Sequence, residues 1–448
     1  MSDLSELAEE VMESARDAGA SDAIAEAIET RVRQVRFSNS QIDAVNSWTE
    51  KHVALFVAVG KRIMSSDLRD FGTAPKRAPE VVSLARASPP SKTYGGVARG
   101  VFSYRRARAD RAIIQLRTPS RYVHEAIAGA EAEGATSVGG TFYVRHERVG
   151  LSSSGGALGS DENAAVELSV RAFSQPESSG HAVCCAHSLK LMRARETGER
   201  AGHLASMAKD PMHGSEGRTD LIVQPLCLGS FIQPTTGMLS ALRVEISTSM
   251  FARRIGKSVA SEVVTLADDP TMPSISRRSF DHEGVPTRRN VMIREGILKT
   301  YLHNTSTAKR FKTRTTASAG PLIPTPFTFT AQPIAMHPVL QPGDWDEQEL
   351  IEDTRRGLYL NNTWYTRFQN YATGDFSTIP RDAILRIENG DLVGAVKNIR
   401  ISDNMLNFWK SVDALTKGSE EIYWWEEAAP PSTLPAVRVR GMNITRSA

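Results

Sequence analysis

The chain has 448 residues, 40% hydrophobic and 23% charged, with a formal net charge of +3. That length suits two or three domains of ordinary soluble globular composition, and so mild a charge gives no warrant for direct nucleic-acid binding. No apolar run approaches the ~18 residues of a membrane span, the acidic, amphipathic N-terminus does not read as a secretory signal, and Cys184, Cys185 and Cys227 make no disulfide framework, so a cytoplasmic location is expected.

Residues 3–18 predict a helix, with Leu4, Leu7, Ala8, Val11 and Ala15 at helical spacing, Asp3 and Glu6 as a capping pair and Gly19 as the stop. Strand-like runs follow at Ala27–Phe37, Ile42–Trp48 and Val53–Ile63, an antiparallel meander with one wet face. Pro75 opens a short helix to about Ala87. Pro89–Arg117 is rich in Gly, Pro and Arg, including Arg99, Arg105, Arg106, Arg108, Arg111 and Arg117. With few stacking aromatics between them, these arginines read as a solvated connection rather than a nucleic-acid surface. Pro119 begins a second helix, strands follow at Ser137–Val149, Ala164–Ser174 and His181–Lys190, and a third helix covers about Thr197–Ala208. Helix, strands, helix thus occurs twice, at 1–88 and 118–210, as an internal duplication would give.

Met212–Gly217 reads as a linker, dividing an N-terminal α/β domain with antiparallel sheets (1–211) from a C-terminal, mainly antiparallel β domain with a few helices (212–448); the fold class is α+β. In the second domain the expected elements are a strand at Thr219–Leu226, a helix at 235–250 capped by Thr235, a strand at Val259–Leu266, a hairpin at Asn290–Tyr301, a short basic helix at Thr305–Lys312, a proline-rich stretch at Pro321–Gln341 and an acidic helix at Trp345–Gly357. The clearest element is the hairpin Ala383–Ile387/Leu392–Val396, turning at Asn389-Gly390. Just before it, Trp364, Tyr365, Phe368 and Tyr371 lie among Arg367, Gln369 and Asn370, which suits either a core strand or a surface that grips another chain.

Few residues carry catalytic chemistry by pattern. Gly256-Lys257-Ser258 lacks the earlier glycine of a phosphate loop, since Phe251 stands there. His181, Cys184, Cys185 and His187 are ligand types at short spacing, but on a strand Cys184 points away from the other three. Asp281-His282-Glu283 before Gly284 reads as a charged turn rather than an acid–base cluster. There is no His-Glu-x-x-His and no G-x-S-x-G elbow.

Several blocks, in this order and spacing, resemble the TldD/PmbA family: Asp281–Pro286, Arg294–Lys299, Thr305–Arg310, Thr373–Ser377, and Glu388–Gly390 followed by Val396-Lys397. They cover about Thr219 to Ile401, and the chain is similar to the archaeal-type PmbA (TldE) branch. The resemblance implies a metallopeptidase complex acting on peptides or unfolded segments. TldD members of the family carry His-Glu-x-x-x-His and a later cysteine as the zinc site. The motif would fall at Ile232–Gly237 and the cysteine near Tyr423–Trp425, where this chain has neither. No histidine occurs from Leu221 to Val264, and no cysteine after Cys227. The resemblance therefore implies a subunit without catalytic residues or zinc of its own, shaping a substrate chamber in a heterodimer with a zinc-bearing TldD-like subunit. Partner or peptide contact is expected at Trp364, Arg367, Gln369, Tyr371 and Asp375. Two alternatives stand beside it: a metal-dependent hydrolase in its own right, using His181/Cys185/His187 or His282/Glu283, and an interaction protein of the DNA gyrase machinery, after the family's older label.

Overall fold

The computed structural model describes residues 4–105, 108–322, 331–425 and 427–446. The apolar stripe of α1 (Leu4–Asp17) is buried. It is followed by β1 (Asp22–Ser38), β2 (Gln41–Val59), β3 (Arg62–Leu68) and α2 (Ala74–Ala87). After the short α3 (Arg111–Ile114) come α4 (Ser120–Ala132), β4 (Ser137–Ser153), β5 (Leu158–Gln175), β6 (Ser178–Ala186) and α5 (Ala194–Met207). All six strands form one antiparallel sheet in the order β3-β2-β1-β4-β5-β6. Each half is a helix, three strands and a helix, and the halves join along β1–β4, from Ile24 opposite Ser153 to Phe37 opposite Gly140.

Alternation along the strands sorts the two faces of the sheet. Ala23, Ala25 and Ala27 of β1 pack with the buried stripes of α1 and α2, and Val35 and Phe37 with those of α4 and α5. α4 and α5 approach backbone to backbone, because a Cβ on Gly198 would stand 1.9 Å from the Ala126 carbonyl oxygen. On the opposite face Ile24, Val149 and Leu151 pack with Phe280 of the C-terminal half, whereas Gln34, Arg36, Thr141, Tyr143 and Arg145 line a cavity.

The C-terminal half comprises β7 (Met212–His213), β8 (Gly217–Val223), α6 (Pro225–Met238), α7 (Ala241–Glu245), β9 (Leu266–Asp268), β10 (Asn290–Arg294), β11 (Ile297–Leu298), α8 (Thr305–Arg310), β12 (Pro338–Leu340), α9 (Glu347–Glu352), β13 (Arg356–Asn370), β14 (Asp375–Glu388), β15 (Asp391–Lys397), β16 (Ile399–Asn404), α10 (Met405–Lys410), β17 (Val412–Leu415), β18 (Glu420–Trp424), β19 (Ala428–Leu434) and β20 (Val437–Arg446). One sheet runs β11-β10-β9-β12-β19-β18. In the other, β13 pairs with both β8 and β14, so the circuit β13-β8-β20-β16-β14 closes on itself. Its core gathers Leu221, Val223, Leu360, Ile401, Val437 and Val439 around Phe231 and Trp409. The chain is α+β with largely antiparallel sheets.

The hairpin turn at Asn389-Gly390 has φ of 53° and 88°, as that pair of residues predicts. Other expectations are corrected. The run Val53–Ile63 is not one strand: β2 continues unbroken from Gln41 to Val59, and the chain turns at Gly60-Lys61 into β3. The helix expected at 235–250 is instead two: α6, which begins at Pro225, includes Pro234 and ends at Met238, and the short α7 at Ala241–Glu245. α6 is apolar nearly all round and buried, so no stripe marks its start, and Pro225 occupies the first turn, where its missing N–H costs nothing. Val259–Leu266 is mostly irregular, with β9 starting only at Leu266. The acidic helix is confined to Glu347–Glu352, since Arg356 already pairs in β13. Within the arginine-rich segment, Arg99 pairs with Asp22 of β1, and Arg106 lies outside the described residues, as do residues 323–330 of the proline-rich stretch.

Candidate functional site

The segment where the family's zinc motif would stand is the second half of α6, and nothing there is a zinc ligand. Phe231 stacks on Phe408 at 4.6 Å between ring centroids and meets Phe376 edge-on. Ile232 and Thr235 are fully buried. The Thr235 hydroxyl donates to the Phe231 carbonyl (2.7 Å) and accepts from the Trp409 indole N–H (2.8 Å). These apolar and hydroxyl side chains do not fit a zinc ion, so no step through zinc is assigned to this segment.

The place expected for the family's cysteine has another use. Tyr423 and Trp424 end β18 and Trp425 follows them into the turn, and the β18–β19 hairpin is anchored on α6, where Ile422 and Ala428 pack with Leu226. The three aromatics face the open part of the N-terminal sheet and enclose with it a cavity of about 270 Å³. Gln34, Arg36, Thr141, Tyr143, Arg145, Glu167 and Ser169 supply the polar lining. Arg145 pairs with Glu167 at 2.9 Å and lies over the Tyr143 ring at 4.7 Å. Burial raises the Glu167 carboxyl above its usual range; Arg145 opposes that shift and nearby Glu421 adds to it. Gln34 donates to the Tyr143 hydroxyl and accepts from Asn46. Arg36 is exposed and has no ion-pair partner among the described residues. The sequence signal for these residues was polar side chains at every second position of β1 and β4, which mark a wet face without showing what covers it.

Below the cavity lies a buried polar junction. The His181 ring donates from Nε2 to the Ser169 hydroxyl (2.9 Å) and accepts at Nδ1 from Asn362 (3.0 Å), while its backbone exchanges hydrogen bonds with the Asn361 side chain. Burial, helped by Arg171, pushes its pKa down to about 3, so it is a neutral structural histidine. Asp382 pairs with Arg171 at 2.9 Å and accepts from Ser179; these cations and hydrogen bonds outweigh the opposing effect of burial and hold its carboxyl below the usual range. Of the other ligand types, Cys184 turns to the helix side near Met192, Cys185 donates to the Tyr423 carbonyl, and His187 lies 3.9 Å from Glu421. His181, Cys185 and His187 therefore each have separate partners. Asp281-His282-Glu283 is a turn, but not a solvated one. It is buried against β1, where His282 Nδ1 meets Glu26 at 2.6 Å and Asp281 accepts three backbone N–H groups.

The expected contact residues lie on the arm formed by the turn-proximal ends of β13 and β14, where Asp375–Thr378 of β14 also pair with β16. Trp364 is 50% exposed and stacks on Tyr365, and Arg367 lies over the Tyr365 ring. A bulge between Trp364 and Arg367 puts Tyr365 at φ 50°, a conformation a tyrosine rarely adopts. Beyond Leu360 no described strand pairs with the other edge of β13. Gln369 is exposed; Tyr371 stacks on Phe368 with Arg243 over its ring. Asp375 is held in the turn by Thr373 and Asn404. Side-chain contacts link the arm to the cavity wall: Arg381 lies over Trp364 and pairs with Glu427, which accepts from the Trp424 indole.

The fold is a two-part α+β scaffold, with the antiparallel N-terminal sheet set against the closed circuit of the C-terminal half. The family model for the PmbA/TldA metallopeptidase C-terminal domain matches residues 216–446, half of the chain, and the chain belongs to that family. It is 33% identical over 217 residues to a metalloprotease of Methanocaldococcus jannaschii, covering 46% of this chain and 45% of that protein. It is 25% identical over 203 residues to a zinc metalloprotease TldD homolog of Saccharolobus solfataricus, covering 45% and 44%. The alignments thus span less than half of these relatives. The fold matches TldE from Thermococcus kodakarensis at TM-score 0.86 with 18% identity, over 98% of this chain and 100% of that one. It also matches a Thermotoga maritima MSB8 protein described as a modulator of a DNA gyrase, at TM-score 0.83 with 19% identity, over 98% and 99%.

Proposed function

We propose that this chain is the non-catalytic, TldE-like subunit of a zinc metallopeptidase complex that processes peptides or unfolded segments. The observation that carries the reading is α6: where the family's zinc motif belongs, the chain has Ile232–Gly237, packed against Phe408 and Trp409 and without a ligand. In this reading the catalytic zinc belongs to a TldD-like partner, and this chain contributes chamber walls and substrate selection. The stacked aromatics and open edge of β13 suit capture of an extended segment by backbone pairing. Both are expected to work in the cytoplasm.

The test is zinc content and peptidase activity of the purified chain, alone and mixed with a TldD-like subunit. The expected result is no stoichiometric zinc and no activity alone, and an altered rate or substrate range in the mixture. Stoichiometric zinc with hydrolysis by the isolated chain would overturn the reading.

A further inference from the structure

We propose that the cavity between the sheet and the β18–β19 hairpin is a recognition subsite for an aromatic residue at the free C-terminus of an extended peptide. The proposal rests on the peptide reading above and adds which end and which side chain are read.

Three observations converge. First, the walls are aromatic: Tyr143 on the sheet faces Tyr423, Trp424 and Trp425 on the hairpin, and about 270 Å³ suits one planar side chain rather than a folded surface. Second, the charges do not balance. Arg145 is neutralised by Glu167, and Glu421, which does not line the cavity, accepts from the Ile275 N–H. Arg36 is left as the unpaired cation of the lining among the described residues, and a guanidinium forks onto a carboxylate in two parallel hydrogen bonds. Third, a chain of side-chain contacts, Trp424 to Glu427 to Arg381 to Trp364, links the cavity wall to an unpaired strand edge. A peptide whose last side chain fills the cavity and whose carboxylate meets Arg36 has β13 available for its preceding residues. An internal residue would bring no carboxylate to Arg36.

The experiment titrates the isolated full-length chain, by calorimetry and tryptophan fluorescence, with Ala-Ala-Ala-Phe, its C-terminal amide, Ala-Phe-Ala-Ala and N-acetylphenylalanine. The free acid Ala-Ala-Ala-Phe is expected to bind at least tenfold more tightly than its amide or the internal-Phe peptide, and more tightly than N-acetylphenylalanine. Arg36→Gln, an exposed change on a strand, is expected to bring the acid down to the level of the amide and leave the amide unchanged. Trp425→Ala is expected to weaken both. Equal binding of acid and amide, or an acid preference that survives Arg36→Gln, overturns the proposal. N-acetylphenylalanine binding as tightly as the peptide overturns it too, because the ligand would then be a free aromatic acid. Complex formation with the zinc-bearing partner is read separately by gel filtration. A normal complex without C-terminal preference sinks the subsite alone, and a preference without a complex sinks the subunit reading alone.

Discussion

Glu26 shows how one carboxylate ties two halves of the chain together. It sits in β1, 1% exposed, with His282 at 2.6 Å and Arg278 at 3.1 Å, both from the C-terminal half. Burial raises its pKa, but His282 and Arg278 outweigh burial and bring it down to about 2. A depressed carboxyl contributes stability above its unfolded value near 4.5, and loses it as pH falls towards 2. Glu26→Gln is expected to cost roughly 3 kcal/mol in urea unfolding at neutral pH, and to flatten the acid limb between those two values. Thr235 makes a smaller, local case. Thr235→Val keeps the shape but leaves the buried Trp409 indole N–H without its acceptor, an expected loss of about 1–3 kcal/mol by the same measurement. Neither contact was legible in the sequence, because each joins residues more than 170 positions apart.

Elements were legible where local chemistry alone decides them. Asn389-Gly390 and Glu295-Gly296 announce their hairpins, and the α1 stripe its helix, without reference to anything distant. α6 was misplaced because burial on all sides removes periodicity, and because Pro234 reads as a stop although it lies inside the helix. The α4–α5 contact depends on glycine instead of pattern. Gly198→Ala would push a methyl into the Ala126 carbonyl, so thermal unfolding is expected to show destabilisation of about 1–3 kcal/mol despite alanine's better helix propensity. The arm behaves oppositely. Trp364→Ala removes an exposed ring and should leave the unfolding midpoint within ~0.5 kcal/mol, while weakening association with a TldD-like subunit or a peptide; unchanged association would remove Trp364 from the contact surface.

At the scale of the molecule, the junction between the halves carries buried charge of both kinds. Burial and neighbouring Glu283 push Asp281 up to about 8, opposite to Glu26. A raised carboxyl gives its stability at low pH and loses it as pH climbs, so an uncharged replacement gains on the native chain in alkaline solution. The thermal midpoint of Asp281→Asn relative to wild type should rise between about pH 5 and pH 8; a constant difference would mean that Asp281 does not titrate in the folded protein. The sequence showed Asp281–Pro286 as a turn, and it is one, closed by hydrogen bonds between Asp281 and both Gly284 and Val285. What it hid was the neighbour, Glu26 of β1, which meets His282 from 256 positions away.

The β1–β4 seam has a consequence for how this protein reaches its native state. The cluster under α1 and α2 draws only on the first half, and the one under α4 and α5 mostly on the second, with Val35 and Phe37 of β1 added across the seam, so most of each is able to gather from contacts near in sequence. The seam pairs residues about 100 to 130 apart, and long loops close slowly. Pulse-labelled amide exchange during refolding should therefore protect β2–β3 and β5–β6 before β1–β4. The recognition cavity, whose floor spans β1, β4 and β5, would come into being only with that final closure.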